Sequence, residues 1–139
     1  MNKNTENLKV LLEYLHDSYK GLQECAEQVN NSAAKSYLIK TSNERKQFIS
    51  ELESLGLIVE AREGTLLGPI HRILIDIKSK LSSDNAEAIK EEVLRGDKIL
   101  IEKYNLAIKE STSKDISELL NNQLKQIHEE LVNLSLIHI

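Results

Sequence analysis

Four stretches of this chain carry apolar residues at the i, i+3, i+4, i+7 spacing of a single helix face, and the lengths of chain between them are unequal. The first stripe is Leu8, Leu11, Leu12, Leu15, Tyr19, Leu22, Ala26 and Val29, with Asn4 or Thr5 as N-cap, and predicts a helix over about 5–29. Asn30, Asn31 and Ser32 supply a turn and a new cap. Ala34, Tyr37, Leu38, Thr41, Phe48, Leu52 and Leu55 then predict a second helix over about 32–55, stopped by Gly56. Asp84 followed by Glu87 has the form of a capping box ahead of Ala86, Ile89, Val93, Gly96, Leu100, Tyr104 and Ala107, which predict a third over about 84–109. Ser113 caps a fourth over about 114–136, with Ile116, Leu119, Leu120, Leu124, Ile127, Leu131 and Leu134 on its stripe.

The links between these segments decide how they assemble. Short links join the first pair and the last pair, so each pair is expected to form an antiparallel hairpin. Between Gly56 and Ser83 the chain is too long for a turn and is punctuated by Gly64, Gly68 and Pro69. Pro69 suits the first position of a helix, and Ile70, Ile73, Leu74, Ile77 and Leu81 predict a short amphipathic helix over about 69–81 inside that connection. Helices of about 23–26 residues are roughly 35–39 Å long and well matched for lateral packing. The expectation is an all-α, single-domain four-helix bundle over residues 1–139, with a long crossover between its second and third helices.

Charge and composition exclude several functions. The 22 acidic and 18 basic residues are interspersed and leave a net charge of −4, so no basic stripe offers itself to a phosphate backbone and nucleic acid is not an expected partner. The single cysteine, Cys25, has Leu22, Ala26 and Val29 as helical neighbours and reads as a small core side chain rather than a redox centre. Residues 1–9 are polar, and no apolar run reaches the roughly 20 residues of a membrane span, so no membrane partner is expected and the cytoplasm is the expected location. There is no nucleophile elbow, phosphate-binding glycine loop or Cys-x-x-Cys pair, which leaves bound metal as the plausible agent of any catalysis.

The segments Gly21-Leu22-Gln23-Glu24-Cys25-Ala26-Glu27, Ser42-Asn43-Glu44-Arg45-Lys46-Gln47-Phe48 and Gly64-Thr65-Leu66-Leu67-Gly68-Pro69-Ile70-His71-Arg72 occur in that order, followed by Arg95-Gly96-Asp97 and the stretch from Gln123 to His128. Together, over about residues 7–134, they resemble an uncharacterised family of bacterial ferritin-like four-helix bundles, a domain of unknown function. The resemblance implies a ferritin-like fold and raises the question of a dimetal centre. Such a centre draws a carboxylate from each of two helices and a Glu-x-x-His pair from each of the others. On the second helix Glu44 is followed at the third position by Gln47 where that pair has histidine, and a carboxamide is a poor transition-metal ligand beside imidazole.

Two functions therefore stay open. The favoured one is a metal-free or degenerate-site scaffold with a structural, stress-related or interaction role, in which the apolar tail of Leu134, Leu136, Ile137 and Ile139 could support a homodimer. The alternative is a dimetal iron or manganese carboxylate protein in oxygen or peroxide chemistry or iron handling, with Glu44 and Asp97 as carboxylate ligands and Asp17 and His128 completing the shell. His71 and Arg72, at the start of the crossover helix, suit either an anion site or a structural role in ordering the crossover. A histidine phosphotransfer role is disfavoured, because His16 and Lys20 are four apart where that class has three, about 100° of helix rotation.

Overall fold

The computed structural model describes residues 3–56, 75–77, 79, 86–111 and 113–136. Four long helices make up most of this: α1 (Lys3–Gln28), α2 (Ser32–Glu53), α3 (Ala86–Glu110) and α4 (Lys114–Leu136). No strand occurs among the described residues, so the chain is an all-α bundle. Most of the expected crossover helix, the pair His71 and Arg72, and the side chains of the apolar tail from Leu134 onward lie outside the described residues.

Local chemistry sets the helix ends. Asn31 takes an extended conformation ahead of α2, and its Oδ1 accepts from the Ala34 amide at 2.9 Å, satisfying one of the amides that the first turn leaves without a partner. At the other end α2 stops at Glu53, two residues short of the expected Leu55. Ser54, Leu55 and Gly56 form a tightened turn in which the Leu55 and Gly56 amides reach back three residues, to Leu52 and Glu53. Gly56 has φ +89°, a left-handed conformation that a side chain would strain.

Contacts between helices fix their directions. Asn7 donates to Glu110, and the Lys103 ammonium lies 5.1 Å from the Tyr14 ring centre, so α1 and α3 run antiparallel. The three-residue link from Val29 to Asn31 makes α1 and α2 antiparallel as well, with Ser42 Oγ donating to the Tyr19 carbonyl at 3.0 Å. It follows that α2 and α3 are parallel and that residues 56 and 86 stand at opposite ends of the bundle. A hairpin turn cannot join parallel helices; the connection has to cover the length of α2, roughly 33 Å. One part of it is described: helical residues 75–77, where Ile77 is fully buried in the core and Asp76 pairs with Arg95 of α3 at 2.8 Å.

Around the bundle α1 packs on α2 and α3, α4 packs on α3 and α2, and α1 and α4 face each other diagonally. Leu11, Leu15, Leu38, Leu52, Leu100, Leu120 and Ile127 are fully buried between them, and Phe48 and Tyr104 supply the largest uncharged side chains. Burial of each such aliphatic side chain contributes about 1.5–3 kcal/mol. Cys25 is buried within this core, as its apolar neighbours imply. Among the described residues no helix is long and apolar enough to cross a membrane.

The α2 cap offers a direct check. Asn31→Ala should lower stability by about 1 kcal/mol, read as a lower midpoint of thermal unfolding, while Asn31→Asp should retain it because the carboxylate still accepts from the Ala34 amide.

Candidate functional site: an arginine caged by carboxylates

Among the described residues the largest fully buried side chain is charged. Arg45 is 0% exposed, halfway along α2, on the same face as Thr41 one turn before it and Phe48 one turn after. Three carboxylates surround its guanidinium. Nη1 pairs with Glu44 of the same helix, and Nη2 pairs with Asp97 of α3 at 2.6 Å and Glu130 of α4 at 3.2 Å. A second polar network lies one to two turns away. The Tyr104 hydroxyl donates to Gln123 Oε1 at 2.7 Å, and Gln123 Nε2 donates to the Phe48 carbonyl at 3.2 Å and to Glu51 at 3.0 Å. The two networks tie α2, α3 and α4 together at matching heights.

Of the four residues expected to bind metal, the fold brings two together. Glu44 and Asp97 converge, but on Arg45. Asp17 is buried on α1, and no ion pair or hydrogen bond described places it on Arg45. His128 is exposed on the outer face of α4, beside Glu129, Val132 and Asn133. The residue of α4 that does reach the centre is Glu130. Along that helix the fully buried positions are Leu120, Gln123 and Ile127, with Leu124 and Leu131 only half-buried, so the inward face is turned about one residue from the expected stripe. A Glu-x-x-His spacing does occur on α1, from Glu13 to His16. Both are half-buried, His16 stands edge-on to Tyr19, and no described hydrogen bond or ion pair joins either to the Arg45 cluster.

The charge balance of the cluster governs its protonation. Three carboxylates share one guanidinium in a poorly hydrated core, and the unfavourable cost of burying a charge is relieved most cheaply by retaining protons. Burial, with a hydrogen bond to Glu130, raises Glu44 from its ordinary value of 4.5 to about 8. Burial likewise raises Asp97 from 3.8 to about 8 against the pull of Arg45, with Glu130 adding to the rise. Glu130 moves the other way: burial pushes it up, but hydrogen bonds from Glu44 and Asp97 and the charge of Arg45 outweigh that and lower it. Burial opposes the charge on Arg45, and Asp97, Glu130 and Glu44 more than compensate, so it stays protonated. The directions favour Glu130 as the ionised partner of Arg45, with protons held on Glu44 and Asp97. The buried Tyr37 and Tyr104 phenols, raised chiefly by burial, remain neutral beside it.

The centre already contains a cation. Arg45 stands among the carboxylates, and among the described residues no imidazole pairs with them and no group of three His, Cys, Asp or Glu side chains is placed to hold a metal ion.

The protonation pattern predicts the direction of pH dependence. Between roughly pH 4.5 and 8 the folded chain holds protons on Glu44 and Asp97 that the unfolded chain has lost, so stability falls as pH rises through that window. Each fully retained proton contributes a slope of about 1.4 kcal/mol per pH unit. Glu130 acts oppositely, with its contribution present above the ordinary glutamate range and lost as pH falls through its lowered value. Thermal unfolding should therefore show a higher midpoint at pH 5.5 than at pH 8, and Asp97→Asn should flatten that slope. An unchanged slope in the variant would contradict the assignment.

Comparison with known proteins places the chain without assigning it an activity. None of the curated proteins and none of the solved structures matches it. A family model described as a domain of unknown function, DUF2383, matches residues 3–110. The match takes in α1 to α3, with Arg45, Glu44 and Asp97, and ends before Gln123 and Glu130. By that match, the chain belongs to the DUF2383 family.

Proposed function

We propose that this protein is a metal-free helical scaffold with a structural, stress-related or interaction role, built on the ferritin-like plan but with its carboxylate centre closed by an arginine. The observation that carries the proposal is the position of Arg45, fully buried and paired with Glu44, Asp97 and Glu130 from three helices. A guanidinium is permanently charged at any physiological pH and presents its donors in a rigid fork, so it supplies both the positive charge and the hydrogen bonds that buried carboxylates require. Supporting the ferritin-like plan is the parallel course of α2 and α3, which demands one long connection between two hairpins. Any partner is more naturally a protein, a second copy included, than nucleic acid, since both signs of charge alternate along the helices.

The reading is tested by elemental analysis of untagged protein after aerobic exposure to ferrous iron and desalting. The native chain should retain no stoichiometric iron or manganese, and Glu44→Ala should behave identically. Retention of about two equivalents by the native chain, lost in Glu44→Ala, would establish a dimetal centre in its place.

A further inference from the structure

Among the described side chains α4 buries the least of the four helices. Leu120, Gln123 and Ile127 are its buried residues, whereas α2 and α3 each bury eight. Ile116, Leu119 and Leu124 pack against the core half-covered, and Glu130 and Leu131 are half-buried as well. α1 faces α4 only across the diagonal, so α4 rests on α3 and α2. Its described bonds to α2 are polar: Glu130 Oε1 lies 3.2 Å from Arg45 Nη2, and Gln123 Nε2 donates to the Phe48 carbonyl at 3.2 Å and to Glu51 at 3.0 Å. Water replaces such partners once a helix moves away, so these bonds resist parting less than buried aliphatic contacts do. Arg45 also keeps Glu44 and Asp97 when Glu130 leaves, so its charge stays paired.

We propose that α4 is a detachable helix, which swings out as a unit about the 111–113 link while α1, α2 and α3 stay assembled. Segments with few buried apolar contacts are the ones that open below the limit set by global unfolding. The link suits a hinge, since Ser111 and Ser113 are only half-buried. Ser113 Oγ accepts from the Ile116 amide at 3.4 Å, so α4 carries its own N-cap and needs no contact with α3 to begin. The part that stays assembled coincides with the part that the family model matches, residues 3–110. Glu130 and Gln123 form the latch, because they are the α4 partners of Arg45 and of the Tyr104 hydroxyl. Both Arg45 and Tyr104 are 0% exposed while the latch is closed, and opening brings them to solvent.

The test is hydrogen exchange of the full chain at neutral pH, read by mass spectrometry on peptides from each helix. In the native chain the α4 peptides between Ile116 and Leu131 should exchange as one block, with protection about 100-fold lower than α2 peptides between Leu38 and Leu52. Glu130→Gln keeps the size of the side chain and withdraws the charge that faces Arg45. It should lower α4 protection by a further factor of about ten and leave α1 and α2 unchanged. Equal protection of α4 and α2 overturns the inference, because the bundle then opens only as a whole. Protection that declines steadily towards the end of α4 also overturns it, since that is fraying rather than undocking. So does Glu130→Gln with unchanged α4 protection, with protection lost in all four helices, or with no folded state.

Discussion

Burying a guanidinium at the centre of a helical bundle imposes conditions on everything around it. An unpaired charge there would cost several kcal/mol, so Arg45 can exist at 0% exposure only if carboxylates reach it from its neighbours. They come from Glu44 on its own helix, Asp97 on α3 and Glu130 on α4, each of which must arrive at the same height. Sliding α4 by one turn along α2, about 5.4 Å, would part Glu130 from Arg45 and leave the guanidinium with only Glu44 and Asp97. Apolar side chains tolerate such a slip far better, because Leu packs on Leu in many registers. The ionic centre thus specifies the alignment of three helices that the hydrophobic stripes alone leave loosely determined.

The polar networks also divide the bundle by role. On the α1 side Leu8, Leu11, Leu15 and Leu22 are buried, and Ser42 of α2 donates to the Tyr19 carbonyl. Facing the centre, α2, α3 and α4 carry Arg45, Asp97, Glu130, Gln123 and Tyr104. Buried ion pairs are poor sources of net stability compared with apolar residues of equal volume, because desolvation offsets much of the Coulombic gain. Their presence across three helices is better explained by the register they impose and the protons they hold than by strength.

Much of the bundle is legible in local spacing. The four stripes, the short links and the long connection carry enough to place α1 to α4 and to make α2 parallel to α3, because periodicity and link length are properties of neighbouring residues. The centre is harder. Arg45 lies four residues after Thr41 and three before Phe48, so it fills the gap in the α2 stripe, and that gap was the available signal. A charged residue at such a gap reads as solvated, since Arg is seldom fully buried, and the partners that overturn this lie 52 and 85 residues away. Glu130 sits seven residues after Gln123, on the inward face, but a stripe drawn through Leu124 and Leu131 turns that face by about one residue and puts Glu130 outside it. His128 looked attractive as a ligand type, yet two residues on a helix are about 200° apart, so it and Glu130 could not both face inward.

The span of the family match sharpens what α4 contributes. Residues 3–110 include the arginine and two of its carboxylates, both of which retain protons near neutrality. The carboxylate that stays ionised, Glu130, is on α4, and so is Gln123, which joins Tyr104 to Glu51 and the Phe48 carbonyl. Without α4, Arg45 would keep Glu44 and Asp97 but would lose the partner that accepts their protons. One of those two would then have to ionise to balance the guanidinium. The helix that closes the bundle therefore supplies both the third carboxylate on Arg45 and the amide that joins α2 to α3.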